Sequence, residues 1–179
     1  TVDASIGVLD NDSDVEGDAL SAVLVDGPAH GSLSLDPDGS FTYTPDADYS
    51  GTDSFTYRAS DGDLESAVVA VTLTVQPVND APDATADSYM AVEDTTRTVE
   101  TASGVLDNDS DVDGDALTAI LVDGPLHGEL TLNPGGSFTY IPDPNYNGAD
   151  SFSYKASDGD LESAVVAVDL AIQAVNDAP

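Results

Sequence analysis

The sequence predicts an all-β chain built as two tandem antiparallel β-sandwiches, the first of them short of its opening strand. Three observations predict it. The 179 residues repeat themselves at a constant offset of 97 without a gap, so that residues 7–82 align on 104–179 with 57 of 76 positions identical. Fifteen glycines and ten prolines interrupt the chain at short intervals, which leaves no room for helices. Between them lie short runs rich in Val, Thr, Tyr and Phe bounded by Asp, Asn, Gly and Pro, the pattern of strands and turns.

The repeat sets the domain count. By length alone the chain would hold one or two domains; a whole-domain duplication makes two. The expected layout is a first repeat over 1–79, a linker over 80–82 and a second repeat over 83–179. Thr1 aligns on Thr98, so Asp83–Arg97 has no counterpart ahead of Thr1. That segment holds Ser88-Tyr89-Met90-Ala91-Val92, which reads as a strand. Without it the first repeat is left with an unpaired edge, a template for another strand.

In the second copy strands are expected near 86–92, 97–102, 116–122, 128–133, 137–141, 150–156 and 162–173. Phe138-Thr139-Tyr140 and Phe152-Ser153-Tyr154 alternate with period two, one face buried and one wet. Ala164-Val165-Val166-Ala167-Val168 is apolar on both faces, as in a central strand. Seven short strands per repeat point to an immunoglobulin-like Greek-key sandwich. Asp53 and Asp150 each stand four residues before a tyrosine at the sixth strand, Tyr57 and Tyr154, which suggests a tyrosine corner with the phenol bonded to local backbone.

Charge narrows the function. The chain has 35 acidic residues against three basic ones, Arg58, Arg97 and Lys155, for a net charge of −32. Nothing here could neutralise phosphates, so nucleic acid is excluded as a partner, and an anionic membrane surface is disfavoured. No apolar run reaches the length of a membrane span. There are no cysteines, hence no disulfide framework. Self-repulsion of this size destabilises a compact state unless salt or bound cations offset it. Adaptation to a salty habitat would explain acids spread evenly; these are clustered.

The clusters fall in turns. Asp107, Asp109, Asp111, Asp113 and Asp115 lie in the loop between the second and third strands, and Asp10, Asp12, Asp14, Glu16 and Asp18 repeat them. Five carboxylates within nine residues repel one another strongly unless a cation sits among them. Hard oxygen donors in this number suit Ca²⁺, which takes six to eight, better than Mg²⁺, which keeps its water. Alternate spacing lets Asp109, Asp111 and Asp113 converge, with Gly114 permitting the sharp turn. The loop opens like an EF-hand, but the twelfth positions are Ile120 and Val23 where that motif needs Glu. Further ligands are therefore expected from the sixth-to-seventh-strand loop, through Asp158 and Asp160 (Asp61 and Asp63 in the first copy). The incoming linker Asn79-Asp80, repeated as Asn176-Asp177 at the end of the second copy, should reach the same end of the repeat it enters. Plain polar turns use the same residue types. Glu93 and Asp94 read as a solvated turn.

The ordered set Gly-Val-Leu-x-Asn-Asp, Asp-x-x-Gly-Asp, Gly-Ser-Phe-Thr-Tyr-x-Pro, Gly-x-Asp-Ser-Phe-x-Tyr and Val-Asn-Asp-Ala-Pro occurs in both copies. It resembles the bacterial cadherin-like, immunoglobulin-like tandem repeat of very large secreted or surface proteins, including adhesins exported by type I secretion. The resemblance implies an extracellular, calcium-binding rod, with Asn79, Asp80, Asn176 and Asp177 in a ligand role like that of the cadherin linker.

The sequence-level expectation is therefore a calcium-rigidified spacer, with adjacent repeats of the same chain as its first partners. The alternative is a calcium-dependent binding module for polysaccharide or for self-association, by edge-strand pairing or by a head-to-tail contact in which one chain's Asn176-Asp177 end completes the next chain's first loop. An enzyme is not expected. His30 and His127 sit beside turn glycines in hairpins, and no tryptophan is present to floor a sugar cleft. Asn11-Asp12-Ser13 and Asn108-Asp109-Ser110 match the glycosylation sequon, but lie inside the acidic loops.

Overall fold

In a computed structural model the described residues are 1–176. They form two compact units, Thr1–Val78 and a second that begins at Asn79. Among the described residues no helix is long and apolar enough to cross a membrane.

The second unit is the fuller one. Its strands are β6 (Asp87–Val92), β7 (Arg97–Val99), β8 (Thr118–Asp123), β9 (Gly128–Leu132), β10 (Phe138–Pro142), β11 (Gly148–Ser157) and β12 (Val166–Gln173). They make a four-stranded sheet in the order β6-β12-β11-β8 facing a three-stranded sheet β7-β10-β9. All pairs are antiparallel except β6 on β12, which is parallel with Val168 opposite Asp87 and Gln173 opposite Val92. The first unit has β1 (Ser21–Asp26), β2 (Gly31–Leu35), β3 (Phe41–Pro45), β4 (Gly51–Ser60) and β5 (Val69–Val75). Its sheets are β1-β4-β5 and the hairpin β2-β3, with Val2 bridging to Phe41 where β7 would lie.

Each core is the meeting of the inward faces. In the second unit Phe138, Tyr140, Phe152, Tyr154, Val168 and Leu170 are at most 2% exposed. Phe138 packs edge-on against Phe152 at 5.3 Å, as Phe41 does against Phe55 at 5.3 Å in the first unit. Burying a side chain of this size stabilises by about 1.5–3 kcal/mol. A third ring, Tyr89 from β6, caps Phe138 at 5.0 Å.

Two expected strand ends move. The strand predicted over 97–102 stops at Val99, and Thr101–Ser103 close a 3₁₀ turn that carries the chain toward the acidic loop. Ala164 and Val165 precede β12 rather than opening it: Glu162 makes a single bridge to Ser157, and Ser163 Oγ accepts the Ala156 N–H at 3.0 Å, diverting the chain before pairing begins. The tyrosine-corner reading is also corrected. Tyr57 and Tyr154 do bond backbone, but it is the carbonyl of Val8 at 2.6 Å and of Val105 at 2.5 Å, each 49 residues upstream.

The two units differ in how well their last strand is covered. Val168, Leu170 and Ile172 on β12 are 0%, 1% and 5% exposed beneath β6. Their counterparts Val71, Leu73 and Val75 on β5 are only partly buried. The first unit should therefore melt below the second. A peptide of residues 83–97, added in trans at a hundredfold excess over its Kd, should raise the lower transition by about 2.7 kcal/mol and leave the upper one unmoved, as read by calorimetry.

Candidate metal centre

The acidic loop is held from beneath. Val105 N donates to Gly136 O at 3.0 Å, and Val8 N to Gly39 O at 2.9 Å. Gly104 and Gly7 sit so close to those carbonyls that a Cβ would collide with them. From this anchor the loop runs over the end of the sandwich, and Gly114 at φ +82° and Gly17 at φ +85° supply the turn that returns it.

The carboxylates divide into two groups with different jobs. Asp109 faces the core. Its Oδ2 accepts the Tyr154 hydroxyl at 2.9 Å and its Oδ1 accepts Thr85 N at 2.8 Å. Asp12 takes the Tyr57 hydroxyl in the same way at 2.8 Å. Asp111 shapes the loop: its Oδ1 accepts Asp113 N at 2.9 Å and Asp115 N at 3.3 Å. Asp14 does this for Glu16 at 2.9 Å and Asp18 at 3.1 Å. Thus the trio that gathers is Asp111, Asp113 and Asp115, each offering an oxygen within 4.8 Å of the others. Asp109 is not in it, because the buried phenol draws it inward. Asp107 lines the same open cleft with Asp109, Asp111 and Asp115, as Asp10 does with Asp12, Asp14 and Asp18.

Segments distant in sequence join this loop in the second unit. Asp80 N donates to Asp113 Oδ2 at 2.8 Å. Asn79 Nδ2 donates to Asp158 Oδ2 at 2.9 Å. Asp83 and Ser110 exchange two backbone hydrogen bonds, at 2.8 and 3.0 Å. Asp158 Oδ1 accepts Asp160 N and Leu161 N, each at 2.7 Å, and Asp61 Oδ1 treats Asp63 and Leu64 alike at 2.8 and 2.7 Å. Backbone donors, with Asn79 added at Asp158, hold both Asp158 and Asp61 below the usual carboxylate range. In the first unit Glu16 stands in place of Asp113, and among the described residues Asp14, Glu16 and Asp18 are not drawn to the same distance. Asn176 lies just beyond Val175; Asp177 lies outside the described residues.

The donor set fits a hard divalent cation. It is all oxygen, and Asp111 Oδ2 is a buried oxygen with no hydrogen-bond partner, an arrangement that costs free energy unless something positive meets it. Burial first, then the Asp109 charge, pushes the half-buried Asp87 carboxyl up to about 6, against a hydrogen bond from Tyr154. Burial raises Asp109 too, against hydrogen bonds from Thr85 and Tyr154. Crowded acids that resist ionisation are what a bound cation would relieve. Asp87 carries no mark in the sequence: it is a lone acid at a strand start, placed here because β6 pairs with β12 and the Tyr154 hydroxyl of β11 comes within 3.4 Å of it.

At the opposite pole Asp53 and Asp150 are structural. Asp150 accepts Leu126 N and His127 N, both at 2.9 Å, and the Tyr140 hydroxyl at 2.9 Å. Asp53 takes Ala29, His30 and Tyr43 equivalently. Burial works to raise Asp53, but the donors from Ala29, His30, Ser54 and Tyr43 outweigh it and hold it at about 2. Asp150 is lowered in the same manner. His30 and His127 stack on Tyr49 and Tyr146 at 4.3 and 4.0 Å, as hairpin residues. Glu93, expected to be solvated, is 4% exposed.

A pair of Greek-key sandwiches in tandem, each with an acidic loop folded over one end, is the layout of a cadherin-type repeat. The chain belongs to the bacterial cadherin-like domain family, whose pattern matches residues 1–77 and 79–174. It is 30% identical over 154 residues to human FRAS1-related extracellular matrix protein 2, across 72% of this chain but 5% of that protein's length. By fold it is similar to human CDH23 EC21-23, with a TM-score of 0.61 and 18% identity over 86% of this chain and 58% of that one. It is also similar to human mucin-like protocadherin EC1-2, with a TM-score of 0.56 and 15% identity over 87% and 85%.

Two outcomes follow. Tyr154→Phe removes the hydroxyl donor to Asp109 and should cost the second unit about 1–3 kcal/mol in denaturant titration. Asp150→Asn replaces one acceptor oxygen by an amide NH₂, leaves part-buried N–H groups without their acceptor and should cost a similar amount, about 1–3 kcal/mol, at pH 7. Because Asp150 is depressed when folded, its contribution is complete above the ordinary value of 3.8 and is lost as pH falls below it. Stability against pH should therefore flatten across that acid window in the variant.

Proposed function

We propose that the chain is a segment of an extracellular spacer, non-catalytic, whose repeats are stiffened by Ca²⁺ bound at the acidic pole. The observation that carries this reading is the convergence in the second unit of linker residues Asn79 and Asp80 on Asp158 and Asp113, beside the Asp111–Asp113–Asp115 trio. A cation there would be held by Asp111, Asp113 and Asp115, with Asp107, Asp109, Asp87, Asp158 and Asp160 as further oxygen donors. It would tie the incoming linker to the body of the repeat. The first repeat offers Asp10, Asp12, Asp14, Glu16, Asp18, Asp61 and Asp63 for the same purpose. Membership of the cadherin-like family and likeness to an extracellular matrix protein support the extracellular setting.

The physics is direct. Without cation, the pole concentrates negative charge and the loop works against its own repulsion. Extracellular sites of this class bind with Kd of about 10⁻⁴–10⁻³ M, so they fill outside the cell and stay empty in cytoplasm, where an unfolded chain is more easily exported. At 10 mM Ca²⁺ one such site adds about 1.4–2.7 kcal/mol. Calorimetric melting in calcium and in chelator should show that gain. The double variant Asp109→Ala/Asp111→Ala should lose it in the second unit. Equal melting in the two buffers would defeat the reading and turn attention to glycan recognition.

A further inference from the structure

The pole away from the acidic loops holds the one buried glutamate in the chain's described residues. Glu93 lies in the turn between β6 and β7 and is 4% exposed. Its Oε1 accepts Val175 N at 2.6 Å, and its Oε2 accepts Asn147 Nδ2 at 3.1 Å. Glu93 N donates to Gln173 O at 3.0 Å. The next residue, Asp94, sits at φ +56° and accepts Asn145 N at 3.0 Å. One turn thus grips the β10–β11 loop and the chain leaving β12. Burying a carboxylate is costly unless it is hydrogen-bonded throughout, and a bond to a charged acceptor is about twice as strong as a neutral one.

The chain contains its own control. The counterpart of Val175 in the first unit is Val78, which no carboxylate among the described residues holds. Val78 is 76% exposed and Val175 50%. Gln76, Pro77 and Val78 follow β5 with no hydrogen bond among the described residues, whereas the equivalent stretch after β12 is fastened to Glu93.

We infer that Glu93 is a positioning residue which clamps the exit linker to the body of its repeat, fixing the direction in which the chain leaves. The inference rests on the spacer reading for its purpose, but not for its mechanism, which needs no metal. A spacer stiffened only at the entrance of each repeat would still pivot at the exit. With Glu93 the last residues before Asn176 move with the sandwich.

Amide hydrogen exchange of the whole chain tests it, in chelator and in calcium. The Val175 amide should exchange roughly ten- to a hundredfold more slowly than the Val78 amide after correction for neighbours, the factor expected for a hydrogen bond to a charged acceptor. In Glu93→Ala the Val175 amide should speed up by that factor while amides in the far half of β11, toward Ser157, keep their protection. Glu93→Gln, which retains an acceptor, should recover part of it. Equal exchange at Val78 and Val175, or slow exchange at Val175 in Glu93→Ala, would overturn the clamp. A uniform loss of protection across the unit in both variants would do so too, by making Glu93 a general stabiliser. A calcium-independent melting curve would instead defeat the metal reading and leave the clamp standing.

Discussion

A single buried phenol organises the working end of each repeat. Tyr154 stands on the central strand β11 with no exposure, and its hydroxyl lies 2.5 Å from the Val105 carbonyl and 2.9 Å from Asp109. The ring is core; the oxygen is loop. That one side chain therefore couples the packing of the sandwich to the placement of the acidic segment. Asp87 and the Thr85 carbonyl also approach the hydroxyl, each at 3.4 Å. A phenol has one hydrogen to give, so acceptors crowd it, and burial with the Asp109 and Asp87 charges drives its own ionisation far upward. The acidic loop is in this sense an extension of the hydrophobic core, and its geometry is inherited from aromatic packing beneath it.

The two copies make the contribution of one strand visible. They share most of their sequence, yet residues that are sealed in the second unit are half-open in the first. Tyr89 completes an aromatic trio with Phe138 and Phe152, while Phe41 and Phe55 remain a pair. The same strand brings Asp87 to the acidic pole and leads into Glu93 at the other. β6 thus touches both ends of the repeat as well as its core.

The seven strands and the acidic loop were legible because period-two alternation and turn residues are local signals. Phe152 and Tyr154 declare their facing within three residues. What escaped depends on contacts far apart in the chain. Tyr57 and Tyr154, four residues after Asp53 and Asp150, looked like corner tyrosines bonded to local backbone, but their phenols reach across to Val8 and Val105, and the two acids cap hairpins. Asp109 looked equivalent to Asp111 and Asp113; a buried hydroxyl 45 residues away sets it apart. Glu93 looked solvated because Glu-Asp is an ordinary turn, and its partners Asn147 and Val175 lie 54 and 82 residues downstream. Nothing in a short window distinguishes a carboxylate with distant donors from one in water.

The parallel register of β6 on β12 has a mechanical consequence. Both strands run from the acidic pole toward the opposite one, the chain entering by β6 and leaving by β12. Tension drawn along the chain pulls β6 back toward the first pole and β12 onward past the second. The six register pairs from Asp87–Val168 to Val92–Gln173 are then loaded together in shear, rather than opened one after another as an unzipping hairpin would be. The load in the second unit is then shared across the whole ladder, along the axis on which a tethered chain would be pulled.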